Sequence, residues 1–246
     1  MLRPEILKRV KEEIDPSLSI TKRTTPVPYF GDYDNARACT ISLNPSDREF
    51  CDKNGEILIP EKTRLCSRQE LEREDSQELT DSEAIKVIDN CKNYFRKNPY
   101  KLWFNKYEEF LKQFELSYYD GSAVHLDIVQ WATTPFWNKL SSDTKSILLK
   151  KDLPFLKLLL EKNFDFIFLN GLTAVTETAN VLDISLNAIP SELIDGKVSQ
   201  VFLGWYNNSR VIGWSPYIQS ASVGGYNKIR KIAEKIISEN RKDLIK

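Results

Sequence analysis

The 246-residue chain balances 35 Lys and Arg against 35 Asp and Glu, and its 41% hydrophobic and 28% charged content is that of a soluble globular protein. Zero net charge excludes the global signature of a strongly basic nucleic-acid binder and leaves only a local basic patch open. No apolar run approaches the ~20 residues of a membrane span. The length suits one large α/β domain or two small ones. The opening "MLRPEILKRVKEEIDP" lacks the apolar stretch of a secretory signal, so the cytoplasm is the expected compartment. Cysteines 39, 51, 66 and 91 form no CxxC pair, and His125 is the only histidine. No metal, iron–sulfur cluster or other cofactor is therefore expected, and the thiols are expected to be reduced.

In chain order, "PEILKRVKEEI" has helical spacing and opens an N-terminal helical region over about residues 1–25. "TTPVPYFGDYDNA" is a loop punctuated by Pro and Gly that leads into a strand at 37–43. That strand stops in Asn44-Pro45-Ser46-Asp47. Pro45 fixes its own φ and biases Asn44 toward an extended conformation. The segment is either an ordinary turn or a ligand-facing strand end of the kind open α/β sheets use. Asn54-Gly55 marks a turn. It lies in a charged insertion of about 52–80, whose residues 61–79 are expected to be exposed. "TDSE", Thr80 to Glu83, is a capping box. The helix it opens should bury Ile85, Ile88, Cys91 and Phe95.

A second helix is predicted through "KLWFNKYEEFLKQF", then a buried strand over Val124–Val129. "SSDTKSILLKKDLPFLKLLLEK" predicts two helical stretches divided near Pro154. "FDFIFLNGLTAV" predicts a strand turning at Asn170-Gly171 into a helix. "SQVFLGWYNNSRVIGWSP" predicts two strands around an Asn-Asn-Ser turn, and "GGYNKIRKIAEKIISENRKDLIK" a closing amphipathic helix. Strands alternating with helices imply a mostly parallel sheet covered on both faces. Neither a repeat nor a composition break divides the chain, so a single domain over 1–246 is expected.

Three strand ends carry polar groups: Asn44 in "SLNPS", Asp127 in "VHLDIVQW" and Ser215-Pro216 in "GWSPYIQS". In this order and at this spacing, together with "FIFLNGLTAV", they resemble the motifs of the uracil-DNA glycosylase superfamily over roughly residues 26–240. The likeness is to a divergent bacterial branch of it. The resemblance implies a three-layer α/β/α sandwich around a central, mostly parallel four-stranded sheet. It implies an enzyme that flips a base out of DNA and cleaves its N-glycosidic bond. Single- or double-stranded DNA is the partner, no membrane is involved, and a monomer is expected.

By that resemblance Asn44 positions the water. Asp47 is placed with Asn44 and His125 in the catalytic set, and Asp47 and Glu49 are either sources of a carboxylate or a solvated turn. Pro45 and Ser46 shape a base pocket, and Phe50 is either a base-stacking ring or a core aromatic. Asp127 reads the base, while His125 is a base contact or a buried, hydrogen-bonded histidine. Ser215, Pro216, Tyr217 and Ile218 form a DNA-inserting loop, with Tyr217 or Ile218 as the wedge. Lys228, beside Gly224-Gly225, is a phosphate contact or part of a solvated face. Trp131 and Trp137 are assigned to structure.

The chain departs from the family in having Gly213-Trp214 where a catalytic His-Pro would stand, and Asp127 where Asn is usual. Asp accepts from the N4 amine of cytosine. The expected base is therefore a cytosine, more specifically a modified one, with anti-phage defence as the role and Gly213 leaving extra room in the site. The alternatives are a uracil-removing repair enzyme, a catalytically silent nucleic-acid-binding protein of the same fold, and a nucleoside or nucleotide hydrolase.

Overall fold

The computed structural model describes residues 3–194 and 196–244. Among them are six helices: α1 (Pro4–Lys11), α2 (Asp81–Lys92), α3 (Lys101–Leu111), α4 (Ser142–Leu160), α5 (Leu172–Leu182) and α6 (Tyr226–Leu244). Six strands accompany them: β1 (Ala38–Ser42), β2 (Ala123–Asp127), β3 (Phe166–Asn170), β4 (Leu186–Ile194), β5 (Lys197–Tyr206) and β6 (Ser209–Trp214). The sheet runs β2-β1-β3-β6-β5-β4. β1, β3 and β6 are mutually parallel, and β4, β5 and β6 form an antiparallel meander. No helix among the described residues is long and apolar enough to cross a membrane.

Six strands, rather than the expected four, is a correction. The extra edge strand β4 reads "LNAIPSELI", and only Ser191 and Leu193 in it are buried. With Pro190 in mid-run, it has neither clean alternation nor a continuous apolar stretch. By contrast "ACTIS" and "FIFLN" are buried almost throughout, as strands covered on both faces must be.

The chain forms two compact units, each assembled from three stretches: Met1–Tyr33, Leu43–Pro99 and Leu126–Leu159 in one, and Asp34–Ser42, Tyr100–His125 and Leu160–Lys246 in the other. In the second unit, α3 and α5 lie on opposite faces of the sheet. Phe110 of α3 stacks on Trp214 with ring centroids 4.2 Å apart. On the other face, a Cβ added at the neighbouring Gly213 would lie 2.7 Å from Cγ2 of Val175 in α5. Gly213 is thus required for helix–sheet contact and leaves no extra room, which corrects the reading of it as space in a site.

In the first unit the N-terminal helix stops at Lys11, well short of residue 25. Asp15 precedes Pro16, which disfavours the helical region for it, and its carboxylate instead accepts from the Ser17 amide and hydroxyl. Beyond the helix, Ile14, Leu18 and Ile20 continue as irregular chain that packs with Val129, Trp131, Leu140 and Leu148, while Trp137 rests against this cluster.

The charged insertion is less exposed than its composition suggests. Leu65, Cys66, Ser67 and Arg68 are buried. The Arg68 guanidinium donates to the carbonyls of Glu12, Glu74 and Gln77. Helix α2 has its capping box, but it buries Ala84, Val87, Ile88 and Cys91, while Ile85 is exposed and Phe95 falls in the following 3-10 turn. Helix α4 runs unbroken through Pro154. Buried Leu148, Asp152, Phe155, Leu156 and Leu159 hold it across the carbonyl that the proline leaves without its helical donor.

Candidate functional site

Two segments that leave strands are clasped together in the first unit. The Val129 amide donates to Leu43 O at 2.9 Å, just past the C-terminal ends of β1 and β2. One residue further on, Asn44 Nδ2 donates to Pro45 O (3.1 Å), Trp131 O (3.2 Å) and Thr133 Oγ1 (3.1 Å). Its two N–H groups thus serve three acceptors, while its Oδ1 accepts nothing among the described residues. The amide of this half-buried residue is oriented by tertiary contacts.

Pro45 is buried, and Ser46 caps a 3-10 turn over Asp47–Glu49, its hydroxyl accepting from the Arg48 amide. The two acids of this turn differ. Asp47 is partly exposed and makes only long contacts, to the Ser46 hydroxyl at 3.3 Å and to Arg48 at 4.0 Å. Glu49 is 3% exposed and accepts from the Tyr94 hydroxyl at 2.6 Å on Oε2. Burial pushes the Glu49 carboxyl up to about 7; the Tyr94 hydroxyl and Arg64 pull it down, and the negative charge of Asp127 adds to the rise. Asp127 itself is 2% exposed at the end of β2.

Gln130 ties down the backbone beside Asp127. Its amide group donates to Asp127 O and Ile128 O, and its own backbone N–H donates to Asp152 Oδ2 at 2.8 Å. Phe50 is 1% exposed, so it is a core aromatic in this state rather than an open stacking face. Asn44, Pro45, Ser46, Asp47, Phe50 and Asp127 all belong to this unit, and the buried group in it that the motifs understated is Glu49. Tyr94 and Arg64 were given by no sequence signal, because their part follows only from the chain folding back.

The remaining candidates belong to the second unit. His125 is buried, with Nδ1 2.7 Å from Thr40 Oγ1, which lies 2.6 Å from the Tyr118 hydroxyl. Its ring meets Trp103 edge-on at 4.9 Å and Phe104 at 5.3 Å. This is the buried, hydrogen-bonded alternative for His125.

Ser215 extends the β5–β6 pairing. Its amide donates to Gln200 O, and its hydroxyl accepts from the Gln200 amide at 3.0 Å. Pro216 follows, half-buried. Ile218 is fully buried, and its amide donates to Asn170 Oδ1. It therefore anchors the loop and is not available as a wedge, which corrects one of the two expectations there. Tyr217 is 47% exposed and its hydroxyl accepts from Trp103 Nε1 at 2.9 Å.

Asn170, expected only as a turn residue, organises this loop. It accepts from Trp214 Nε1 and the Ile218 amide, and it donates to Gln219. Its position at a strand end, like that of Asn44, was the available signal. Lys228 is exposed and lines a small surface hollow with Leu193, Ile194, Val223, Lys231 and Ile232.

Among the described residues, no group of three or more His, Cys, Asp or Glu is arranged to hold a metal ion. The four cysteines are buried free thiols, with burial pushing Cys51 up to about 11 and Cys66 up to about 12. Compared with models of known protein families the chain matches none, and it matches no curated protein sequence.

Proposed function

We propose that the chain is a DNA glycosylase-like hydrolase that flips a base from DNA and cleaves its N-glycosidic bond, with a modified cytosine as the preferred base. The observation that carries this reading is the clasp of Leu43–Phe50 on Asp127–Thr133. These two segments carry the oriented amide of Asn44 and the buried carboxyls of Glu49 and Asp127 at and just past the ends of β1 and β2. The helices on both faces of the sheet support the three-layer arrangement of the uracil-DNA glycosylase superfamily, here with two strands more than expected.

Asn44 Oδ1 accepts from a water and aims it at C1′. An amide is too weak a base to deprotonate that water, so departure of the base leads and the sugar gains oxocarbenium character before attack. Asp127 accepts from the exocyclic amine of the flipped base, whereas the O4 of uracil would face it with lone pairs alone. A good match of this kind is worth ~1–3 kcal/mol of discrimination. Removing unmodified cytosine would damage the host genome, so a requirement for a 5-substituent is the selective design. Modified cytosines in invading phage DNA are then the substrate, and defence the role. Within the second unit, exposed Tyr217 is the ring offered to a base stack, and Ser215 and Lys228 are the groups offered to phosphates.

The test is incubation with duplexes containing uracil, cytosine, 5-hydroxymethylcytosine or its glucosylated form, followed by alkaline cleavage of abasic sites. Cleavage of the modified cytosines is expected, and Asp127→Asn should move activity toward uracil. Efficient uracil removal with the cytosine derivatives untouched overturns the base assignment. Binding without excision of any base makes the chain a silent nucleic-acid binder.

A further inference from the structure

Within the second unit, the loop after β6 holds one exposed aromatic ring in a fixed place. Gly171, at φ +86°, carries no side chain, and a Cβ added there would stand 3.2 Å from Cδ2 and 3.3 Å from Cβ of Tyr217. This bare turn is the seat on which the Tyr217 side chain rests. The far end of the ring is tied as well, because its hydroxyl accepts from Trp103 Nε1 at 2.9 Å.

The main chain around the ring is equally fixed. The Tyr217 carbonyl accepts from the Ser220 amide at 2.9 Å, and the amide of buried Ile218 donates to Asn170 Oδ1 at 3.0 Å. Gln219 joins the loop to α3: its Nε2 donates to Trp103 O at 3.4 Å, and its own carbonyl accepts from Lys106 Nζ at 3.1 Å. Trp103 is braced in turn. Its ring meets those of buried Phe104 and His125 edge-on, at 4.6 and 4.9 Å between centroids. A buried indole N–H must find a partner in the protein, but Trp103 is only half-buried and water could have served it. The bond goes instead to a tyrosine that stays 47% exposed.

We propose that Trp103 is a positioning residue: its indole N–H holds Tyr217 as a preformed stacking ring that meets a base of bound DNA without releasing the hydroxyl. This rests on the glycosylase reading above and deepens it. Every base offers a π-face, so an aromatic ring can stack on it whatever the sequence. A ring fixed before the DNA arrives avoids the ordering cost that a mobile side chain meets on binding. A hydroxyl held in place and a ring left uncovered together fit that task.

The experiment has two arms. The first reads the contact itself. Each of the five tryptophans gives one indole N–H resonance in ¹⁵N-labelled protein, and the one missing from Trp103→Phe belongs to Trp103. Tyr217→Phe should speed its exchange with water several-fold, whereas a saturating duplex containing 5-hydroxymethylcytosine should not speed it. The second arm measures binding of the same duplex by fluorescence anisotropy. Tyr217→Ala, which removes the ring, should weaken it roughly tenfold to hundredfold. Trp103→Phe and Tyr217→Phe break one bond from its two ends. Each should weaken binding about two- to tenfold, and the double variant no further.

The proposal is overturned if Tyr217→Phe leaves the exchange of the Trp103 indole unchanged, or if the duplex speeds that exchange. It is also overturned if Trp103→Phe and Tyr217→Phe weaken binding additively or not at all. In each of these cases excision by the native protein would leave the glycosylase reading standing. A native protein that binds no duplex overturns both. Binding with the expected coupling but without excision of any base fails the glycosylase reading alone and keeps the stacking ring. If Trp103→Phe does not fold, Tyr217→Phe decides alone, since it breaks the same bond without opening a cavity: one indole must exchange faster and affinity must fall.

Discussion

Asp47 and Glu49 stand two residues apart in one 3-10 turn, yet only Glu49 is withdrawn from water. A carboxyl raised from its ordinary 4.5 to about 7 binds more protons folded than unfolded across that window. Stability therefore falls as pH rises from about 4.5 to about 7, and the cost is complete above 7. A shift of this size corresponds to about 3 kcal/mol. Urea denaturation should accordingly show Glu49→Gln gaining on the native protein by about that much between pH 4.5 and pH 8. A constant difference would mean that Glu49 is solvated. At Asn44 the three acceptors around Nδ2 demand an amide. Asn44→Asp would set a carboxylate oxygen against the carbonyls of Pro45 and Trp131, so it should cost about 2 kcal/mol of stability and lower excision rather than supply a stronger base. An Asn44→Asp protein more active than native would contradict the water-orienting role.

Elements show the same division between what local rules specify and what contacts impose. Helix α2 begins where its capping box says, because Thr80 and Glu83 satisfy each other's backbone N–H groups within four residues of chain. The insertion before it is organised instead by Arg68, whose fork reaches three carbonyls. Lysine carries its three N–H donors on a single nitrogen and cannot spread across them, so Arg68→Lys should lose about 2–3 kcal/mol and open residues 69–79 to limited proteolysis. An unchanged digestion pattern would show the loop to be self-supporting. In the loop after β6, Tyr217 and Ile218 should behave as opposites. Ile218→Ala should cost about 2–4 kcal/mol through the cavity it leaves, whereas Tyr217→Ala should leave the melting temperature nearly unchanged and weaken duplex binding. Equal effects of both substitutions on binding, with neither affecting stability, would remove the wedge assignment.

At the scale of the whole molecule, the proposed DNA binding has to be reconciled with zero net charge. Affinity for a polyanion depends on the lysines and arginines that reach phosphates rather than on the sum over the chain. Each phosphate neutralised releases counterions and contributes about −0.9 to the slope of log affinity against log salt. Duplex binding should therefore weaken clearly between 50 and 200 mM salt, roughly as expected for a few phosphate contacts, and Lys228→Ala should reduce the slope by about one. A salt-independent affinity would argue against any phosphate-lined groove.

The sequence by itself determined the alternation of strands and helices, the start of α2, the turns at Asn54-Gly55 and Asn170-Gly171, and the polar strand ends at Asn44 and Asp127. Each of these depends on residues within a few positions of one another: a period, a cap, a positive φ at Gly171, or a proline after an asparagine. Tertiary structure decided the rest. "LNAIPSELI" is a strand because β5 lies beside it, Pro154 is tolerated because its helix is packed on the buried side, and Gly213 is small because Val175 approaches it. Glu49 looked like half of a solvated turn until Tyr94, Arg64 and Asp127, far away in sequence, supplied its surroundings. Burial and electrostatic coupling act through space, so no window of the chain contains them.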